Sequence, residues 1–359
     1  MGFFVSTGNP TSERLDQLQQ YLQVDPKNPR LLVEAIDTAL GLGDIAAARK
    51  WSNNALDAHP QDPYMRHRHG SVLLAEGRLD EAAVIFTQLW ASHGDPNIAF
   101  NLALVRFRQG NYDAALRSVM PFTHISPSKS VALAVRAMHH QGKFKEARAA
   151  VDKEMPRHGK DADFLAAASL VYLDEDDLTK AEELAKKSLA TGQRLLDALV
   201  SAGTAALARQ DTQEALTYFR EALQTHSNDG RSLMGMGMAF LLAADAPNAK
   251  TYLERAVTQL PQSSDAAEAL GWAQVMGGDV AQAEETFMQL LAQAGDDSGA
   301  HRGLAVTCAM QGQADKSRKS IAHLDANDDA VKMAEAILSG GSKAAQGLQQ
   351  LVRGRARKH

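Results

Sequence analysis

The chain has a single cysteine, Cys308, among its 359 residues, so it can form no internal disulfide and needs no oxidising compartment. No run approaches the roughly 18 apolar residues that a membrane-spanning helix requires. The opening stretch MGFFVSTGNP has no basic segment and only Phe3, Phe4 and Val5 as an apolar core, too little for a secretory signal, and it has no cysteine to carry a lipid. Met1-Gly2 followed by Ser6 fits only the loose myristoylation pattern. These absences lead to the expectation of a cytoplasmic protein. A mild net charge of −5 argues against a generalised nucleic-acid binder.

What the sequence does have is alanine, helix-forming composition and a repeat. A 45% hydrophobic content with only 6% aromatics favours helices that pack closely through small side chains. Short turns recur at Gly43, Gly77, Gly110, Gly142, Asp176, Gln210, Ala244, Gly278 and Gly312, and every interval from Gly142 onward is 34 residues. Five residues after each turn residue stands a small side chain: Ala48, Ala82, Ala115, Ala147, Ala181, Ala215, Ala249 and Ala283, with Ser317 the exception. Four residues further on, a larger one is frequent, as in Phe86, Phe219, Leu253 and Phe287. Another small residue precedes the turn by seven, as in Gly70, Ala103, Gly203, Gly237, Gly271 and Ala305. Each unit therefore reads as helix, tight turn, helix, with small residues where neighbouring helices cross.

The spacing Leu233-x2-Met236-Gly237-x2-Phe240, then Ala249-x3-Leu253 and Pro261, resembles the tetratricopeptide repeat, as does Ala267-x2-Leu270-Gly271 followed by Ala283-x3-Phe287. The family's first-helix tryptophan is replaced by Leu32, Arg66, Ala99 and Leu199. The resemblance implies an all-α, right-handed superhelical solenoid of about nine helix-turn-helix repeats with capping helices. The divisions expected are a capping half-repeat over 1–28, repeats over 29–329, C-terminal capping helices over 330–352 and a disordered basic tail over 353–359.

Catalytic and cofactor motifs do not survive their context. GLGDIA at Gly41–Ala46 matches a dinucleotide fingerprint, but a helix and not a strand precedes it. His67 and His69 fall on different faces of a helix with no carboxylate or cysteine to complete a metal site. Cys308 reads as a buried small hydrophobe. No catalytic residue, cofactor or metal ligand is expected.

The resemblance implies instead a non-enzymatic scaffold or adaptor that holds an extended segment or helix of another protein against its first helices. The alternative is a regulatory or targeting subunit of a separate enzyme or secretion machine. No nucleic-acid or membrane partner is expected, and self-association is open. With the turn residue counted as position 15, positions 2, 5, 6, 9, 12 and 13 of each first helix should line the groove. In the second to fourth repeats these give a polar, basic zone that includes His67, Arg68, Asn97, Asn101, Arg108, Lys129 and Arg136. In the seventh to ninth they give an apolar zone that includes Met234, Met238, Trp272, Met276 and Met310. In SLMGMGMAF (Ser232–Phe240), Gly237 is then the crossing residue, and Gly235 should leave the backbone open between Met234 and Met238. Of the residues that form the family's carboxylate clamp, only Asn101 and Lys129 have counterparts, which argues against that use. Charge is zoned as well: +2 over 1–150, −12 over 151–300 and +5 over 301–359.

Overall fold

A computed structural model describes residues 10–122 and 127–340. The first nine residues, the part of the expected C-terminal caps beyond Gly340, and the tail 353–359 lie outside the described residues.

Among the described residues there are twenty α-helices and no strand. The chain forms two compact units, residues 1–167 and 168–359. In the first, α1 (Ser12–Val24) precedes four helix pairs: α2 and α3 (Pro29–Leu42, Ile45–Ala58), α4 and α5 (Pro63–Ala75, Leu79–His93), α6 and α7 (Pro96–Arg108, Tyr112–Val119), and α8 and α9 (Pro127–His140, Phe144–His158). The boundary falls inside α10 (Ala162–Asp174), whose pair is α11 (Leu178–Leu189). The second unit continues with α12 and α13 (Leu196–Ala208, Thr212–Thr225), α14 and α15 (Gly230–Leu242, Ala246–Gln259), α16 and α17 (Ser264–Gly277, Val280–Ala294), α18 and α19 (Ser298–Met310, Ala314–Ile321), and α20 (Asp329–Leu338). The nine turns read from the sequence are the turns between paired helices.

Local chemistry starts and stops these helices where the pattern says. Most first helices open on capping side chains, several followed by proline, with α12, which starts after Leu195, an exception. Asn28 accepts from the backbone N–H of Arg30 and Leu31 ahead of Pro29, and Asp62 and Asp95 do the same work ahead of Pro63 and Pro96. Second helices open on Asp44, Asn111, Asp177, Asp211 and Asp245, each accepting from a backbone N–H three residues on. All nine turn residues have positive φ, between 60° and 87°, a left-handed conformation that glycine adopts without strain.

Three of those nine are not glycine: Asp176, Gln210 and Ala244. Alanine there meets its own carbonyl and, unlike aspartate, gains no local hydrogen bond in return. Ala244→Gly should therefore stabilise the second unit by about 1 kcal/mol, and Gly278→Ala should destabilise it by a similar amount. Urea midpoints of the two variants moving in the same direction would contradict this account of the turns.

The alanine series is wholly internal. Ala48, Ala82, Ala115, Ala147, Ala181, Ala215, Ala249 and Ala283 are all 0–1% exposed. Ser317 is also fully buried, and its hydroxyl donates to the Ala305 carbonyl of the paired helix at 2.8 Å, so the exception leaves no orphan polar atom.

Large second-helix side chains slot between the glycines. A Cβ at Gly203 in α12 would lie 2.8 Å from the Phe219 ring, and one at Gly235 in α14 would run into the same ring. Gly271 and Gly303 enclose the Phe287 ring in the same way, one repeat pair later. Between them, Gly237 meets the smaller Leu253. Gly237 is thus the crossing residue expected from the sequence. Gly235 corrects its expectation: its bare backbone is filled by Phe219 of the preceding second helix.

Candidate interaction surface

In residues 1–167 the polar positions on the first helices do two different jobs. Arg68 on α4 is buried and donates twice to the Asp37 carboxylate on α2, at 2.8 and 2.9 Å. It also lies 3.2 Å from Nδ1 of His67, whose Nε2 is 3.0 Å from the Asn101 amide on α6. With Nδ1 accepting from Arg68, Nε2 carries the ring proton and the amide oxygen, exchangeable with its nitrogen by a half-turn, accepts it. Burial, then the Arg68 charge, hold His67 neutral by lowering its pKa from 6.5 to about 4, with Asp95 opposing. Arg108 donates to the Leu74 carbonyl at 3.1 Å, and Arg136 donates to Asp163 at 2.8 Å.

His67, Arg68 and Asn101 therefore join successive first helices through bonds that span 31 and 34 residues of sequence. A polar residue at a groove position can be satisfied by the adjacent repeat, and two of these three are buried by it. Asn97, Arg108 and Lys129 remain exposed on the first-helix ends of the same unit.

The apolar zone in the second unit is mostly interior. Met238 is 3% exposed and Trp272 only 1%, and both share one core with Leu241, Val275, Val306 and Met333. The Trp272 ring meets Phe287 of α17 edge-on at 5.4 Å, and its N–H donates to the Glu268 carboxylate. Met234 and Met276 are half-buried against this core, and Met310 is exposed.

The expectation that Met238 and Trp272 present a pliable face to a partner does not hold for their observed placement. A helix in a stack of pairs touches its own partner, the preceding second helix and first helices on either side, so positions 9 and 12 are claimed by neighbours. Position 13 stays at the rim, where Met276 and Met310 stand one repeat apart. Cys308 is buried as expected, and burial, aided by Glu284, pushes its thiol up to about 11, so it stays protonated near neutral pH.

One cluster had no sequence signal. Asp296, His301 and His323 come together although they are 5 and 22 residues apart, at no recognised ligand spacing. Only the fold of the last repeat brings their loops together.

No helix among the described residues is long and apolar enough to cross a membrane. Tetratricopeptide-repeat family models match residues 67–120 and 200–267 in one case and 240–306 in another. Among curated proteins, none matches the chain. Of solved structures, human IFIT1, a dimer with m7Gppp-AAAA, aligns over 99% of this chain and 96% of its own at 14% identity and a TM-score of 0.54. The pilF protein of Pseudomonas aeruginosa covers 58% of this chain and 96% of its own at 16% identity, TM-score 0.48. A tetratricopeptide repeat protein from Parabacteroides merdae covers 71% and 97% at 14% identity, TM-score 0.42. With paired helices, left-handed turns at the repeat interval and small crossing residues all in register, this chain belongs to the tetratricopeptide-repeat family.

Proposed function

We propose that the protein is a non-enzymatic, cytoplasmic binding module that holds a segment of another protein against the exposed ends of its first helices. The observation that supports this reading is a division of labour among polar positions. Asp37, Arg68, His67 and Asn101 are consumed in joining repeats, whereas Asn97 and Lys129, at position 2 of successive first helices, stay exposed. Repeats that interlock through small residues and buried polar bonds give a stiff support for such side chains, and a preorganised surface loses little entropy on binding. In the second unit the other ends of two first helices, at position 13, carry Met276 and Met310, which suit an apolar, adaptable contact. An amide and an ammonium group together suit the backbone carbonyls and carboxylates of an extended, acidic segment.

The test is affinity capture from the native cell with the full chain, followed by titration of the recovered partner. The pair Asn97→Glu and Lys129→Glu should weaken that partner at least tenfold, about 1.4 kcal/mol, while circular dichroism and the urea midpoint stay at wild-type values. Unchanged affinity would reject this surface. Met238 and Trp272 are unsuitable for such a test because charge at either would unfold the core.

A further inference from the structure

We infer that the last repeat of the chain carries a site for a borderline divalent transition-metal ion of the zinc type, formed by Asp296, His301 and His323. His301 shares α18 with Met310 of the proposed partner surface, but the site stands on Asp296, His301 and His323 alone and does not depend on that reading.

Asp296 stands in the loop between α17 and α18, His301 in the first turn of α18, and His323 in the turn that follows α19. One ligand atom from each lies within 4.8 Å of the other two. A single carboxylate oxygen, Asp296 Oδ1, is 2.9 Å from His301 Nε2 and 3.1 Å from His323 Nδ1. In a tetrahedral site with bonds of about 2.0–2.1 Å, ligand atoms are separated by roughly 3.3 Å, so two of the three edges are already near their final length. Two imidazoles with one carboxylate form a donor set that suits zinc, cobalt, nickel or copper and not calcium or magnesium, which prefer all-oxygen shells.

Neighbouring carboxylates in this loop have separate tasks. Asp297 caps α18 by accepting from the Ala300 N–H at 2.8 Å, which leaves Asp296 turned to the imidazoles. Gly295, at φ 77°, ends α17 and turns the chain into this loop. His301 is 6% exposed and anchors one side, and its Nδ1 is buried with no hydrogen-bond partner among the described residues. His323 is half exposed and its ring stacks on His301 with centroids 4.1 Å apart and planes 4° apart. Parallel rings do not aim both lone pairs at one point, so binding requires the more exposed ring, His323, to turn out of the stack about its own side-chain bonds. The ion would then tie the loop before α18 to the turn after α19, with a water in the fourth position.

The experiment uses the full chain with any affinity tag removed, stripped with EDTA and dialysed, and titrates it with zinc chloride by calorimetry. One saturable site per chain is expected, with a rise of several degrees in Tm at saturating zinc, and no binding heat from magnesium or calcium. Asp296→Asn and His323→Ala, both at exposed positions, should each weaken binding at least tenfold while leaving the helical content unchanged. His139→Ala with His140→Ala should leave it as it is. The inference is overturned if the wild type shows no saturable site, if the two exposed variants bind zinc as well as the wild type, or if the His139–His140 pair proves to be the site.

Discussion

Lowering the pH from 7 to 4 will remove about 3 kcal/mol of stability from the first unit through His67 alone. The folded protein holds this imidazole neutral down to about pH 4, whereas in the unfolded chain it takes up its proton near 6.5. Between those values the unfolded state binds more protons, so stability rises with pH there: the contribution is complete above about 6.5 and is lost as the pH falls towards 4. Protonation would also set a second positive charge beside Arg68 in a buried site and leave its Nδ1 unable to accept from that guanidinium. Carboxylates elsewhere titrate in the same window, so the measurement is a difference. Urea midpoints followed from pH 7.5 to 4 should fall more steeply for the wild type than for His67→Gln, which retains polar atoms but no titrating ring. Parallel curves would mean that His67 does not carry the effect. Within the same network Arg68→Ala should cost about 3–5 kcal/mol at every pH above the carboxylate range, because it leaves Asp37 without the two donors it was folded around.

Adding one methyl group at Gly235 should destabilise the second unit by about 1–3 kcal/mol, although alanine is the better helix former by about 1 kcal/mol. The Cβ would enter the ring of Phe219, which is fully buried and is pressed from its other side by Gly203. A closely packed interior gives such a ring nowhere to move. Gly277 provides the opposite case, since a Cβ there has Ala246 at 3.8 Å as its nearest neighbour; Gly277→Ala should be neutral or stabilising. Phe219→Leu should rescue Gly235→Ala in the double variant, because Leu253 already occupies the equivalent slot one repeat later, sixteen residues ahead of Ala269. A coupling energy near zero in that cycle would show that the ring and the glycine do not meet.

The placement of these two features shows which facts were legible in the residues. Every turn recovered from the repeat lies between paired helices as the pattern implied, and the recurring alanines are all buried. Capping, turn formation and helix pairing act over a few residues, so a repeated local pattern reports them directly. The polar chain from Asp37 to Asn101 also left a trace, in complementary residues about one repeat apart, but that trace was open to being read as a partner surface.

Side-chain exposure was not legible in the same way. A helical wheel divides a first helix into a face for its partner and a face for the groove, and by that division Met238 and Trp272 belong to the groove. In the fold each helix has neighbours on three sides, and the same residues lie at 3% and 1% exposure inside a shared core. The meeting of Asp296, His301 and His323 is still further from the sequence, because it joins two loops and a helix start across an entire repeat. The residues by themselves determined the repeat, its turns, its crossing positions and the helices, all of which follow from contacts within about 34 positions of the chain. Only the tertiary structure decided which polar and apolar side chains are spent between repeats and which reach solvent, because that depends on how many neighbouring helices close over each face.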